Sequence, residues 1–112
     1  MQENTPPETC PDELLPAIAD ERRRQILRVL LETGRAVSLD GLVTEIVRRA
    51  PTGEMSTAPK RIKAMLYHSH IPMLADAGLV AYVASDESMQ LVYTGSPEST
   101  AFLSDVFAAE ER

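Results

Sequence analysis

Cys10 is the single cysteine of the chain, which excludes an internal disulfide and makes a poor start for a zinc site. Tryptophan is absent and aromatics make up 4% of residues, so a core must be built from Leu, Ile, Val, Met and Ala. Glycine occurs five times, with no phosphate-cradling Gly loop. No Ser-His-Asp arrangement and no carboxylate pair in a recognisable cleft stands out, so catalysis is not expected. No apolar run approaches the roughly 18 residues of a membrane span. The opening MQENTPPETCPDE lacks the charged and apolar regions of a signal peptide, and a cytoplasmic location is expected.

Basic charge is also scarce overall, and its placement matters more than its amount. The formal net charge is -6. Residues 1–21 carry six acids and no Lys or Arg, whereas residues 22–63 carry ten Lys or Arg against four acids. After Lys63 the only cation is Arg112, set against seven acids. The middle third thus holds a local net charge of +6 that would attract an anionic partner. The same charges also suit solvated helix faces. Lysine itself is rare, with Lys60 and Lys63 against nine arginines. That profile resembles proteins of halophilic archaea, whose acidic surfaces stay hydrated in concentrated salt.

A length of 112 residues is that of one domain with one core. Residues 1–13 hold three prolines, four acids and almost nothing to bury, and read as a disordered acidic tail. Leu14, Leu15 and Ile18 open the folded part as a turn or short helix. Asp20 is placed to cap a helix from about Glu21 to Thr33, closed by Gly34. Ala36-Val37 is short and can pair as an edge strand, after which Ser38 caps a helix carrying Leu39, Leu42, Val43, Ile46 and Val47 on one face. Residues 51–59 are a loop, and Thr57 can cap a helix from Ala58 to Ala77, ended by Gly78. Pro72 inside it predicts a kink or two helical segments end to end. The runs 79–84 and 89–94, joined by four polar residues, read as a β-hairpin. Ser96 and Pro97 then start a last helix.

This order predicts an α+β, mainly α chain: a winged helix-turn-helix domain over 14–95, with a three-helix core and a hairpin wing, and a C-terminal helix over 96–112. The plainer alternative is four helices around a two-stranded sheet. ADERRRQILRVLLETG resembles the first helix of ArsR-like winged-helix regulators, and HIPMLADAGLVAYV resembles the end of their recognition helix running into the wing. LYHSHIPMLADAGLV is similar to a segment of winged-helix proteins of halophilic archaea. The likeness covers about residues 16–94. It implies a transcriptional regulator that binds double-stranded DNA through helix 58–77 in the major groove. Two departures stand out: a loop of about nine residues before that helix, and Asp86 and Glu87 at the wing tip.

Candidate DNA contacts follow. Between Glu54 and Asp76 there is no acid, while Lys60, Arg61, Lys63, His68 and His70 all occur there. Lys60, Arg61 and Lys63 suit phosphates or base edges, and Tyr67 and His68 can hydrogen-bond or stack. The helix phase is open: Ile62, Leu66 and Met73 share one apolar face, and Ala64, Tyr67, Ile71 and Leu74 share another. Tyr67 points outward only in the first phase. His68 and His70, at i and i+2, do not share a helix face, and neither a metal nor another cofactor is expected. Arg22, Arg23 and Arg24 read as a solvated first turn, or as partners of Glu13 or Asp20, or as cations that approach a phosphate from the side. Phe102, Leu103, Val106 and Phe107 are the candidate homodimer interface, or else pack on the chain's own first long helix. The rival function is a protein-interaction module that has kept the scaffold and lost DNA binding. Lys60, Arg61 and Lys63 sharing one exposed surface with Arg48 and Arg49 would favour DNA; scattered cations would favour the rival.

Overall fold

The computed structural model describes residues 11–49, 58–84 and 89–110, with side chains from Leu14 onward. Most of the tail, with Cys10, lies outside the described residues, as do the Thr57 cap, the acids at 86 and 87, and the side chain of Glu13. Helix α1 (Pro11–Ile18) begins three residues before the expected start at Leu14. It leads to α2 (Glu21–Thr33), where the Asp20 carboxylate accepts the Arg22 amide at 2.7 Å. Gly34 ends α2 at φ 73°, a left-handed conformation that glycine adopts without strain.

Strand β1 (Val37–Ser38) runs directly into α3 (Leu39–Arg49). Ser38 Oγ accepts the Gly41 amide at 2.9 Å, and a Cβ at Gly41 would stand 3.0 Å from that same oxygen. The cap therefore wants the glycine. Leu39, Leu42, Val43 and Ile46 are buried, so the amphipathic pattern of this helix is its packing face.

The next helical stretch has three parts: α4 (Pro59–Met65), a π-helical turn over Leu66–His70, and α5 (Ile71–Asp76). In the π turn the Ile71 amide reaches back five residues to the Leu66 carbonyl. Pro72 explains the location. It has no amide hydrogen, and in a regular α-helix its ring would clash with the carbonyl four residues earlier. A wider turn just before it relieves that clash. Gly78, at φ 80°, then turns the chain into the sheet.

Strands β2 (Val80–Ala84) and β3 (Met89–Tyr93) pair antiparallel with Tyr82 opposite Leu91, and β1 joins β3 with Val37 opposite Leu91. The sheet thus has three strands in the order β1-β3-β2, one more than the hairpin alone. Thr94 ties the end of β3 back to the end of α5 through the Leu79 and Gly78 carbonyls, at 2.9 and 3.1 Å. Helix α6 (Pro97–Glu110) is capped by Ser96, whose Oγ accepts the Ser99 amide at 3.0 Å. At Gly95 an added Cβ would overlap the hydroxyl end of Tyr93, whose oxygen lies 3.0 Å from Thr100 Oγ1.

The chain is mainly helical with a small antiparallel sheet. One core joins Leu14 and Ile18 of α1, Ile26, Leu27 and Leu30 of α2, the α3 face, Ile62, Leu66, Ile71 and Leu74, Leu91 of the sheet, and Leu103 and Phe107 of α6. Among the described residues, no helix is long and apolar enough to cross a membrane.

Candidate nucleic-acid interface

The π turn decides what the helix over 59–76 presents. Its buried residues are Ile62, Leu66, His70, Ile71 and Leu74. Neither apolar stripe of the sequence is buried as a whole. Ile62 and Leu66 come from the first and Ile71 and Leu74 from the second, because the extra residue in the π turn rotates one stripe into line with the other. Ala64, Tyr67 and Met73 are left exposed.

The outward face therefore carries Lys60, Arg61, Lys63, Tyr67 and His68, the five residues proposed from sequence, with exposed Met65 and Ser69 beside them. Among the described residues, Lys60 and Arg61 make no ion pair. Lys63 Nζ lies 2.8 Å from an Asp40 carboxylate oxygen at the start of α3, with both side chains largely in solvent. Tyr67 is 50% exposed and meets the His68 ring edge to face, with ring centroids 4.9 Å apart. No acid lies on this helix before Asp76, so its own residues offer donors and π surfaces, and the carboxylate nearest this face among its ion pairs is that of Asp40 on α3.

Other cations of the basic middle are engaged elsewhere. Arg48 bonds Glu45 at 2.8 Å, and Arg49 bonds Glu32 at 2.6 Å and Glu45 at 3.3 Å. This cluster sits at the carboxyl end of α3, about 12 Å by helical rise from Asp40 and its Lys63 partner. The α3 arginines and the α4 cations thus lie toward opposite ends of α3. Burial raises the Glu45 carboxyl less than the Arg48 and Arg49 guanidiniums lower it, with the Arg48 hydrogen bond the largest influence. Arg24 and Arg28 both bond Glu110 near the end of α6, the second at 2.6 Å, and Arg28 stacks 4.5 Å from the Phe107 ring centre.

In the run Arg22–Arg24, Arg22 reaches the Gln25 side chain at 2.8 Å while Arg23 and Arg24 turn back onto α1, and among the described residues none of the three forms an ion pair with Asp20. Arg23 donates to the Ala17 and Pro16 carbonyls, and Arg24 to those of Ile18 and Ala19 at 2.8 and 3.2 Å. These are the carbonyls a helix end leaves without intrahelical partners, so the two guanidiniums close α1.

Sequence reasoning weighed His70 as a metal ligand and left it without a role. It is 6% exposed, with Nδ1 3.2 Å from an Arg23 guanidinium nitrogen. A guanidinium can only donate, so Nδ1 must be the acceptor, and the neutral ring carries its proton on Nε2. Burial pushes the imidazole below its ordinary value; the Asp20 charge opposes this and those of Arg23 and Arg22 add to it. A signal was present: His70 continues the Ile62 and Leu66 stripe at four-residue spacing. His68 is exposed, so the two histidines face different surroundings.

The candidate dimer residues divide. Leu103 and Phe107 are buried in the chain's own core, because α6 packs its 99, 103, 107 stripe inward. Phe102 and Val106 are only partly covered.

No curated protein and no solved structure matches the chain. Residues 15–90, from α1 to the second residue of β3, match the model of the domain of unknown function DUF7344. The match spans more than half of the chain, which therefore belongs to the DUF7344 family.

Proposed function

We propose that the chain is a winged-helix DNA-binding regulator that lays the outward face of α4, the π turn and α5 in the major groove of a duplex. The observation that carries this reading is the composition of that face. Lys60, Arg61, Lys63, Tyr67 and His68 all point to solvent, the helix itself places no acid among them, and its buried residues all lie on the opposite side. The element order and the β1-β3-β2 sheet support the winged-helix assignment, with β2 and β3 as the wing. The likeness of ADERRRQILRVLLETG and HIPMLADAGLVAYV to ArsR-like regulators supports it too. Lys60 and Arg61 take phosphates directly. Lys63 exchanges Asp40 for a phosphate oxygen, and the Tyr67–His68 pair meets base edges. Two copies bind a two-fold site, associating through Phe102 and Val106 on α6.

A second reading, a protein-interaction module, is favoured by a different observation. The described part of the hairpin carries no cation, and Val83, 71% exposed, with Val92 gives its outer face an apolar surface. The ion pairs at Arg48 and Arg49 also keep those cations from extending the α4 face.

Fluorescence anisotropy of a labelled generic duplex, titrated at several salt concentrations, separates the two. Under the DNA reading, binding weakens with salt, and Lys60→Ala/Arg61→Ala/Lys63→Ala flattens the slope by about 0.9 for each phosphate that is no longer neutralised. A folded wild type that binds no duplex at any salt refutes the DNA reading.

A further inference from the structure

The cluster at the α1–α2 junction touches the candidate reading helix through one side chain. Arg23 is held from one side by the Ala17 and Pro16 carbonyls, and from the other it donates to His70, the last residue of the π turn. The neighbouring Ile71 amide makes the five-residue hydrogen bond that defines that turn. His70 thus stands where a small movement would change both the seating of α4 and the direction in which Tyr67 and His68 point. Among the described residues, the charged groups that act on its ring are Asp20, Arg22 and Arg23, all at the α1–α2 junction. α1 adds only backbone carbonyls, through Arg23.

We propose that His70 is a positioning residue for the DNA-reading face, and that protonating it releases the clasp with Arg23 and weakens duplex binding. This rests on the DNA reading for its outcome, though not for the clasp itself. The chemistry is specific. The hydrogen bond requires a lone pair on Nδ1, and the imidazolium has none. Protonation therefore removes the bond and sets a second positive charge beside the guanidinium. Asp20, which already accepts the Arg22 amide, offers a nearby countercharge toward which the ring can turn. The result is a two-state element at a helix already broken by a π turn, where rearrangement disturbs few regular hydrogen bonds.

The test is an NMR titration of the full chain from about pH 8 to about pH 5, run beside anisotropy with a labelled duplex across the range where histidine titrates. The proposal expects the Nε2–H tautomer of His70 at the upper end. It also expects one shared midpoint for the ring, the amides of 66–71 and those of 18–23. Duplex affinity should fall through that midpoint by about fivefold or more, the lower end of ordinary coupling between two sites. His70→Phe, which keeps the ring and cannot titrate, should bind with no such step. Arg23→Gln, which removes the like charge, should move the His70 midpoint upward, a change that a merely space-filling histidine would not show. An Nδ1–H tautomer, separate midpoints, or an unmoved midpoint in Arg23→Gln would each overturn the clasp. An affinity step that persists in His70→Phe would overturn its link to binding. If no duplex binds at any pH, the DNA reading fails, and the tautomer and shared midpoint still decide the clasp.

Discussion

The π turn should be a compromise between one proline and one extra residue, and removing either should expose the other. Without Ser69, Ile62 and Leu66 would be followed by Ile71 and Leu74 at four- and three-residue spacings, an unbroken α-helical stripe. The core could therefore keep its side chains with a regular helix. Pro72 would then sit in a helix interior, with no amide to donate and its ring against the carbonyl four residues back, at a cost of about 3 kcal/mol. Pro72→Ala alone should cost only about 0.4–1 kcal/mol, from the added freedom of the unfolded chain. Deleting Ser69 alone should be strongly destabilising, and adding Pro72→Ala to that deletion should restore most of the loss. Urea unfolding of the four chains gives the coupling as a double-mutant cycle, expected near 3 kcal/mol in favour of the double change. Additive losses, with no rescue by alanine, would refute the explanation that proline places the π turn.

Leu66, fully buried in that turn, should cost about 3–5 kcal/mol on change to Ala, whereas Tyr67→Ala beside it should stay within about 0.5 kcal/mol in the same urea assay. Gly95→Ala should force the Tyr93 ring from its place against Thr100 and cost about 1–3 kcal/mol, read as a fall in thermal midpoint. Stability should fall on acidification in two stages, followed by unfolding at a series of pH values. His70 is held below its ordinary value of 6.5, so its contribution is complete above that pH and is lost as pH falls through the window beneath it. For Asp20, burial raises the carboxyl, but the Arg22 amide with the charges of His70 and Arg23 prevails. Its contribution is therefore lost as pH falls below 3.8.

What could be read from sequence was whatever depends on a few adjacent residues. Asp20, Ser38 and Ser96 cap because a short side-chain oxygen reaches an amide two or three residues on. Gly34 and Gly78 stop helices because their φ is positive. The hairpin followed from two apolar runs with a polar join. The rest depends on how elements meet. Which carbonyls Arg23 and Arg24 would close is set by the angle between α1 and α2, and no local pattern encodes it. Both apolar stripes of the helix over 59–76 were visible, but a fixed period of 3.6 cannot say that the chain changes from one to the other part-way. On α6 the neighbouring stripes 99, 103, 107 and 102, 106 are both apolar in part, and only packing shows the first as core. The five residues proposed for the DNA face came out together because the first half of the helix keeps the phase in which Tyr67 is exposed.

The charge of the molecule argues against a simple electrostatic account of how such a face would bind. A net charge of -6 repels a duplex at long range, beyond roughly 10 Å at moderate salt, where only the sum is felt. Much of the basic middle does not offset this, because Arg24, Arg28, Arg48 and Arg49 are paired with Glu110, Glu45 and Glu32. On the α4 face the charge is a patch one helix wide, with Lys60 and Arg61 unpaired among the described residues and Lys63 loosely held. Such a patch acts at contact distance. Its binding should therefore lose little to salt compared with a protein that is basic throughout, and should depend on shape and on Tyr67 and His68 for what the charges do not supply. The same reasoning gives the ion pairs a clear role: they hold α2, α3 and α6 together, and in doing so they take Arg24, Arg28, Arg48 and Arg49 out of the charge available to a duplex.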